Sequence, residues 1–168
     1  VLYRGIGAAL CNEMLQLGLQ FSAAGALARR IPNEIAASAS AGALVAIFAS
    51  PLELVMIQQQ RFGGSLTGTA RMVVAKHGFG SGGLGRGLGL AMGRDAIYVG
   101  SMLGVTPWIQ RLLLEWRSTQ GPTQEALASL AASMLGGVVG ALLSHPLDVI
   151  KTCQQGDLPR SRYGSVLA

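Results

Sequence analysis

The chain has 168 residues, 50% of them hydrophobic and only 12% charged, with a mean hydropathy of +0.43. A soluble domain carries about 25% charged residues, and a core able to hide this much apolar surface does not fit this length, so a membrane class is expected. The net charge of +5 does not point to nucleic acid, because the basic residues are scattered, lack aromatic neighbours and flank apolar runs.

The 24 glycines and the many alanines and serines suit helices whose backbones approach closely in lipid. Four segments, 6–28, 34–60, 87–114 and 124–153, reach the roughly 20 residues that a bilayer span needs. The start "VLYRGIGAAL" has no Met and no signal peptide, which predicts a piece of a longer protein. The first segment carries Glu13 and the second carries Pro51 and Glu53. Next comes "SLTGTARMVVAKHG", with Leu66, Ala70, Val73 and Val74 on one face, which predicts a short amphipathic helix at the membrane surface. The third segment holds Arg94 and Asp95 inside an apolar span. "RSTQGPTQE" is a polar loop with a Gly121-Pro122 turn signal, and the fourth segment ends in Asp148 and Lys151.

The basic residues orient these segments. Arg61, Arg71, Lys76 and Arg86 lie between the second and third, and Lys151, Arg160 and Arg162 follow the fourth. Arg29, Arg30, Arg111 and Arg117 flank the opposite ends, so the richer loops are expected on the inner side of the membrane. Cys11 and Cys153 form no CxxC, and His77 and His145 have no ligand spacing around them. No nucleophile–base pair stands out either. No metal site, no cofactor and no catalytic residues are expected, and the protein is not read as an enzyme.

Two elements repeat. "SPLELVMIQQQ" at 50–60 and "HPLDVIKTCQQ" at 145–155 share a Pro-x-acid pattern, with Pro51 and Pro146 separated by 95 positions. "LYRGIG" at 2–7 recurs as "LGRGLG" at 84–89. One unit is therefore two membrane helices flanking a surface helix. The chain divides into the end of a first unit (1–28), a complete middle unit (29–117) and the start of a third (118–168). Repeats of this kind are a building plan of transporters.

Each repeated proline removes a helical hydrogen bond, and in lipid such a kink has to face protein or a watery cavity. Asp148 and Lys151 then stand three apart on one face. They could be no more than an i,i+3 pair snorkelling toward water. Recurrence of the proline–acid pair, and of a glutamine nine residues on (Gln60, Gln155), favours function. Arg94 and Asp95 are neighbours about 100° apart round a helix, so at least one must look toward a cavity or another helix. Such a pair could simply fix helix packing. It could also take a substrate bearing both charges, since a guanidinium suits a carboxylate and Asp95 suits an ammonium.

"PLDVIK", followed by Gln155, resembles the Pro-x-acid-x-x-base signature of the mitochondrial carrier family. "LYRG" and "LGRG" resemble that family's aromatic-basic-glycine element, and "HG" at 77–78 its acidic-glycine element. The resemblance covers nearly the whole chain. It implies an all-α membrane protein, part of a six-helix, three-repeat bundle with matrix-side surface helices, in the mitochondrial inner membrane as a multi-pass protein. It also implies a matrix gate made by Pro51, Glu53, Gln60, Pro146, Asp148, Lys151 and Gln155, and cardiolipin binding at Arg4, Gly5, Gly78, Arg86 and Gly87. Amides at a helix N-terminus suit such an anion on physical grounds as well. The family's substrate contact falls at Arg94 and Asp95, with Asn12 and Glu13 at the matching place in the first span.

The sequence departs from the family pattern in places. Met56 takes a basic position, so one interhelical ion pair is expected to be missing. His77 replaces an acid and Gly85 an aromatic residue, and the family's cytoplasmic gate motif is not apparent at 22–28 or 105–110. The expected activity is transport of small metabolites, amino-acid-type or carboxylate, by alternating access, with the full-length carrier monomeric. A non-transporting membrane scaffold or assembly protein built on the same fold is the alternative.

Overall fold

The computed structural model describes residues 6–80, 82–117 and 121–157. Three long helices are present: α1 (Ile6–Ala28), α2 (Glu34–Phe62) and α6 (Pro122–Gly156). Short α3 (Leu66–His77) follows α2. A fourth rod is built of α4 (Leu88–Gly100), a π-helical turn (Ser101–Val105) and α5 (Thr106–Arg117). No strand occurs among the described residues, and the protein is all-α. Arg4 and Gly5 lie outside the described residues.

Local chemistry sets the ends. Asn33 caps α2 by accepting from the backbone N–H groups of Ile35 and Ala36 at 3.0 and 3.1 Å, and Glu34 sits in the first turn, where the helix dipole favours an anion. Gly63, at φ 78°, stops α2 in a conformation that only glycine adopts readily. Ser65 caps α3 through the N–H of Gly68, and Pro122 opens α6 where no N–H is needed. Pro51 and Pro146 lie inside α2 and α6, which run on through them. The π turn precedes Pro107, which cannot donate to the carbonyl four residues back. There the N–H of Thr106 reaches five residues back to the carbonyl of Ser101 instead.

The distribution of side chains is inverted relative to a soluble protein. Leu10, Met14 and Phe21 of α1, Phe48 of α2 and Met134 and Leu142 of α6 are exposed, whereas Asn12, Gln16, Gln20, Gln58, Lys151 and Gln155 are buried. In water such a surface would be unstable; against hydrocarbon it is the favourable one, and the polar groups turn inward to find partners. By length and composition, α2 and α6 are each apolar enough to cross a membrane. Four spans are expected from the sequence. The third of them, 87–114, is the jointed rod with its π turn, not a single regular helix.

α2 lies between α1 and α4, and α6 packs along α4 and α5. One close approach is at Gly42, where a Cβ would run into the backbone carbonyl of Asp95. A hydrogen atom in place of a side chain thus lets α2 settle directly on the part of α4 that carries the charged pair. Beneath this, Leu54 of α2 and Val73 of α3 form a small buried cluster with Leu84, which anchors α3 against the end of the bundle.

Candidate substrate site and gate

On α1, Asn12, Gln16 and Gln20 recur every four residues and are all buried, so they form an amide stripe on the inward face. Gln16 Nε2 donates to Asp95 Oδ2 at 3.3 Å, which ties α1 to α4. Gln16 Oε1 is buried with no partner among the described residues. Leaving such an oxygen unpaired costs about 1–3 kcal/mol. The stripe escapes a reading by motif, because only the four-residue spacing from Asn12 marks Gln16 and Gln20.

Asp95 is fully enclosed, and Arg94 beside it reaches outward from α4. Its guanidinium meets Asp95 Oδ1 at 2.6 Å, Asp148 Oδ1 of α6 at 3.0 Å and Glu53 Oε1 of α2 at 3.6 Å. Glu53 also accepts from the Lys151 ammonium of α6. Three acids and two bases from three helices therefore share one network. Such a cluster repays its desolvation only when the pairing is nearly complete.

Two cavities meet at this network. The larger, about 410 Å³, is lined by Gln16, Arg94, Asp95, Ser144, His145 and Asp148, among others. The smaller, about 170 Å³, is lined by Asn12, Glu53, Met56, Gln60 and Lys151, among others. Glu13, Arg94 and Asp148 belong to both. The Arg94–Asp148 bridge thus stands where the two spaces join. Met56 contributes a thioether to the smaller cavity at the place where the sequence pattern expects a base. Tyr98 lines the larger one, one turn along α4 from Arg94.

Below the ion network lies an amide layer. Gln155 is fully buried; its Nε2 donates to Ser50 Oγ at 3.3 Å and to the Arg86 carbonyl at 3.2 Å. Its backbone carbonyl accepts from Gln58 Nε2, and Arg61 donates to the backbone carbonyl of Gly156. Gln60, paired with Gln155 by the repeat spacing, is instead exposed at the rim of the smaller cavity. Two residues turn a helix by about 200°, which puts Gln58 rather than Gln60 against α6. The four-residue run Ser50, Leu54, Gln58 on the buried face carries that information.

At the same end Gly87 (φ 76°) precedes α4 and Gly78 (φ 74°) follows α3, while Arg86 between the helices is buried. Pro51 is half-buried and Pro146 exposed. At the opposite end, Arg111 of α5 makes two hydrogen bonds to Glu34 of α2, at 2.7 and 2.8 Å, through an exposed pair. Cys11 and Cys153 are free thiols. Among the described residues, no three of His, Cys, Asp and Glu gather as a metal ion requires.

An all-α membrane bundle with an internal charged network beside a cavity is the architecture of a carrier. The chain is 32% identical to mitochondrial 2-oxodicarboxylate carrier 1 of Saccharomyces cerevisiae over 133 residues, which covers 77% of this chain and 41% of that protein. It is 29% identical to carrier 2 of the same yeast over 165 residues, covering 90% and 52%. It is 26% identical to mitochondrial uncoupling protein 6 of Arabidopsis thaliana over 172 residues, covering 90% and 50%. No family model matches the chain, and no solved structure matches it. Over most of its length the chain resembles members of the mitochondrial carrier family. It spans about half the length of the curated relatives it matches, and the two yeast proteins are named as carriers.

Proposed function

We propose that the protein moves a small metabolite across the mitochondrial inner membrane by alternating access. The observation that carries this reading is the guanidinium of Arg94, shared among carboxylates of α2, α4 and α6 at the junction of two cavities. Arg94 and Asp95, with Asn12 and Glu13 of α1, are the substrate contacts. Arg94 takes a carboxylate, and the acids take a cationic group. The names of the relatives favour a dicarboxylate, whereas the acid-rich wall favours an amino-acid-type solute.

Glu53 and Lys151 hold α2 to α6 on the matrix side, and Gln155 braces the joint from below. Substrate bound at Arg94 weakens that network and shifts the equilibrium toward the matrix-open state. The units 1–28, 29–117 and 118–168 belong to successive repeats, and the multi-pass carrier works as a monomer. Gly78, Arg86 and Gly87 lie where two helix ends could receive a cardiolipin phosphate, with Arg4 and Gly5 in the same role in the preceding unit.

The test is uptake into liposomes by the protein expressed from its complete gene, against a panel of amino acids and carboxylates. Uptake of at least one class is expected, and replacing both Arg94 and Asp95 by Ala should abolish it. Absence of any uptake by folded protein argues for a scaffold instead, and unchanged uptake in the double variant removes the site assignment.

A further inference from the structure

The buried carboxylate of Asp95 draws on two donors. Arg94 gives its Nη1 to Oδ1 at 2.6 Å, and Gln16 gives its Nε2 to Oδ2 at 3.3 Å. α2 lies between α1 and α4, so the second bond reaches past an intervening helix. Its two ends are enclosed by this chain itself, with Gln16 at 7% exposure and Asp95 at 1%. Little surface is left there for a water molecule or a further segment to stand in for the amide.

The second donor decides how Arg94 is shared. A guanidinium beside a carboxylate favours a bidentate pairing, with two parallel N–H bonds to the two oxygens. Here Asp95 takes Nη1 alone, and its Oδ2 is held by Gln16. The Nε of Arg94 goes to Asp148 Oδ1 at 3.0 Å, and the guanidinium stands in the wall of both cavities. Gln16 itself stays half satisfied, because its Oε1 is enclosed with no donor among the described residues. A side chain kept only for packing would not carry that penalty, since an apolar residue of similar shape avoids it.

We propose that Gln16 is a positioning residue of the substrate site. By occupying Asp95 Oδ2 it keeps Arg94 from closing bidentately onto its own neighbour, and so presents the guanidinium to the carboxylate of a solute. The inference rests on the transport reading above, with Arg94 as the carboxylate contact. Without the amide, Asp95 is left with one bare oxygen in an enclosed site and draws a second N–H from Arg94. The guanidinium then turns back along α4, away from the cavity. A solute carboxylate has to open that bidentate pair before it can bind.

The experiment has two readouts on protein from its complete gene, wild type against Gln16→Leu. The first is the rate at which a dicarbonyl reagent modifies Arg94 in the absence of solute, followed by peptide mass spectrometry. Gln16→Leu is expected to slow that rate by about threefold or more, the worth of one hydrogen bond. Loss of a side chain that only packs would loosen the site and leave the rate unchanged or faster, and either result overturns the proposal. The second readout is uptake into liposomes of the carboxylate that the wild type carries best. KM should rise about tenfold while Vmax per folded protein stays within about twofold. An unchanged KM overturns the proposal. Should Gln16→Leu not fold, Gln16→Asn, whose amide is one methylene too short for Asp95, takes its place with the same two expectations. If the folded wild type carries no solute, the transport reading falls, and the labelling of Arg94 alone decides this inference.

Discussion

The ammonium of Lys151 on α6 donates to the carboxylate of Glu53 on α2, across 98 positions of sequence. Lys151 is almost wholly enclosed, at 4% side-chain exposure. Little of the ammonium is open to solvent, so this pair ties the two proline-containing helices together at one point.

Removing one side of that pair strands the other. Lys151→Ala should lower stability by about 3–5 kcal/mol, the usual penalty for leaving a buried charge uncompensated. The paired replacement Glu53→Gln with Lys151→Met should recover much of the loss. Thermal unfolding of the purified protein in detergent measures both, and a cost for Lys151→Ala below about 0.5 kcal/mol would contradict the buried linkage.

Gln155 and Gln60 offer a contrast within the repeat. Gln155→Leu removes the donor for both Ser50 Oγ and the Arg86 carbonyl and should cost about 1–3 kcal/mol. Gln60→Leu, at an exposed position, should stay within about 0.5 kcal/mol of the native protein. Denaturation midpoints of the two variants, measured side by side, settle which glutamine braces the joint.

A packing prediction concerns glycine. A methyl group at Gly42 meets the backbone carbonyl of Asp95, whereas one at Gly18 of α1 meets nothing within 4 Å. Gly42→Ala should therefore destabilise by about 1–3 kcal/mol through overpacking and displace the Arg94–Asp95 segment. Gly18→Ala should be neutral or stabilising by up to about 1 kcal/mol, since alanine is the better helix former. Equal effects in an unfolding assay would falsify the close approach of α2 to α4.

Met56 predicts a gain. It lines the smaller cavity with Glu53 and Asp148, and Met56→Lys brings a cation into a wall where acids outnumber bases. The unfolding temperature should rise by a few degrees, about 2–4 °C for each kcal/mol in a protein of this size class. Slower net transport should accompany it if the network holds the closed state. An unchanged or lower unfolding temperature means that the new ammonium does not reach the acids.

Much of the architecture was legible in local pattern. The expected 6–28 coincides with α1, and α2 and α6 extend the expected 34–60 and 124–153 by only a few residues. The amphipathic stretch became α3. Hydropathy and caps suffice for this, because whether a segment is helical depends mainly on its own residues and on the solvent around it. Composition alone also pointed to a membrane class, and the repeated Pro-x-acid and Arg-Gly elements pointed to the family.

What no local pattern could supply is rotation and reach. Gln60 was chosen by spacing, yet the turn of α2 presents Gln58 to α6. Gln16 carried no motif, yet it is the link from α1 to Asp95. Arg94 read as a partner for its neighbour or for a substrate, and only the meeting of α2, α4 and α6 gives it Asp148 and Glu53 as well. A helix of known sequence has a known set of faces. Which face meets which neighbour is decided by close packing between distant segments, here by Gly42 against α4, and so belongs to the tertiary structure.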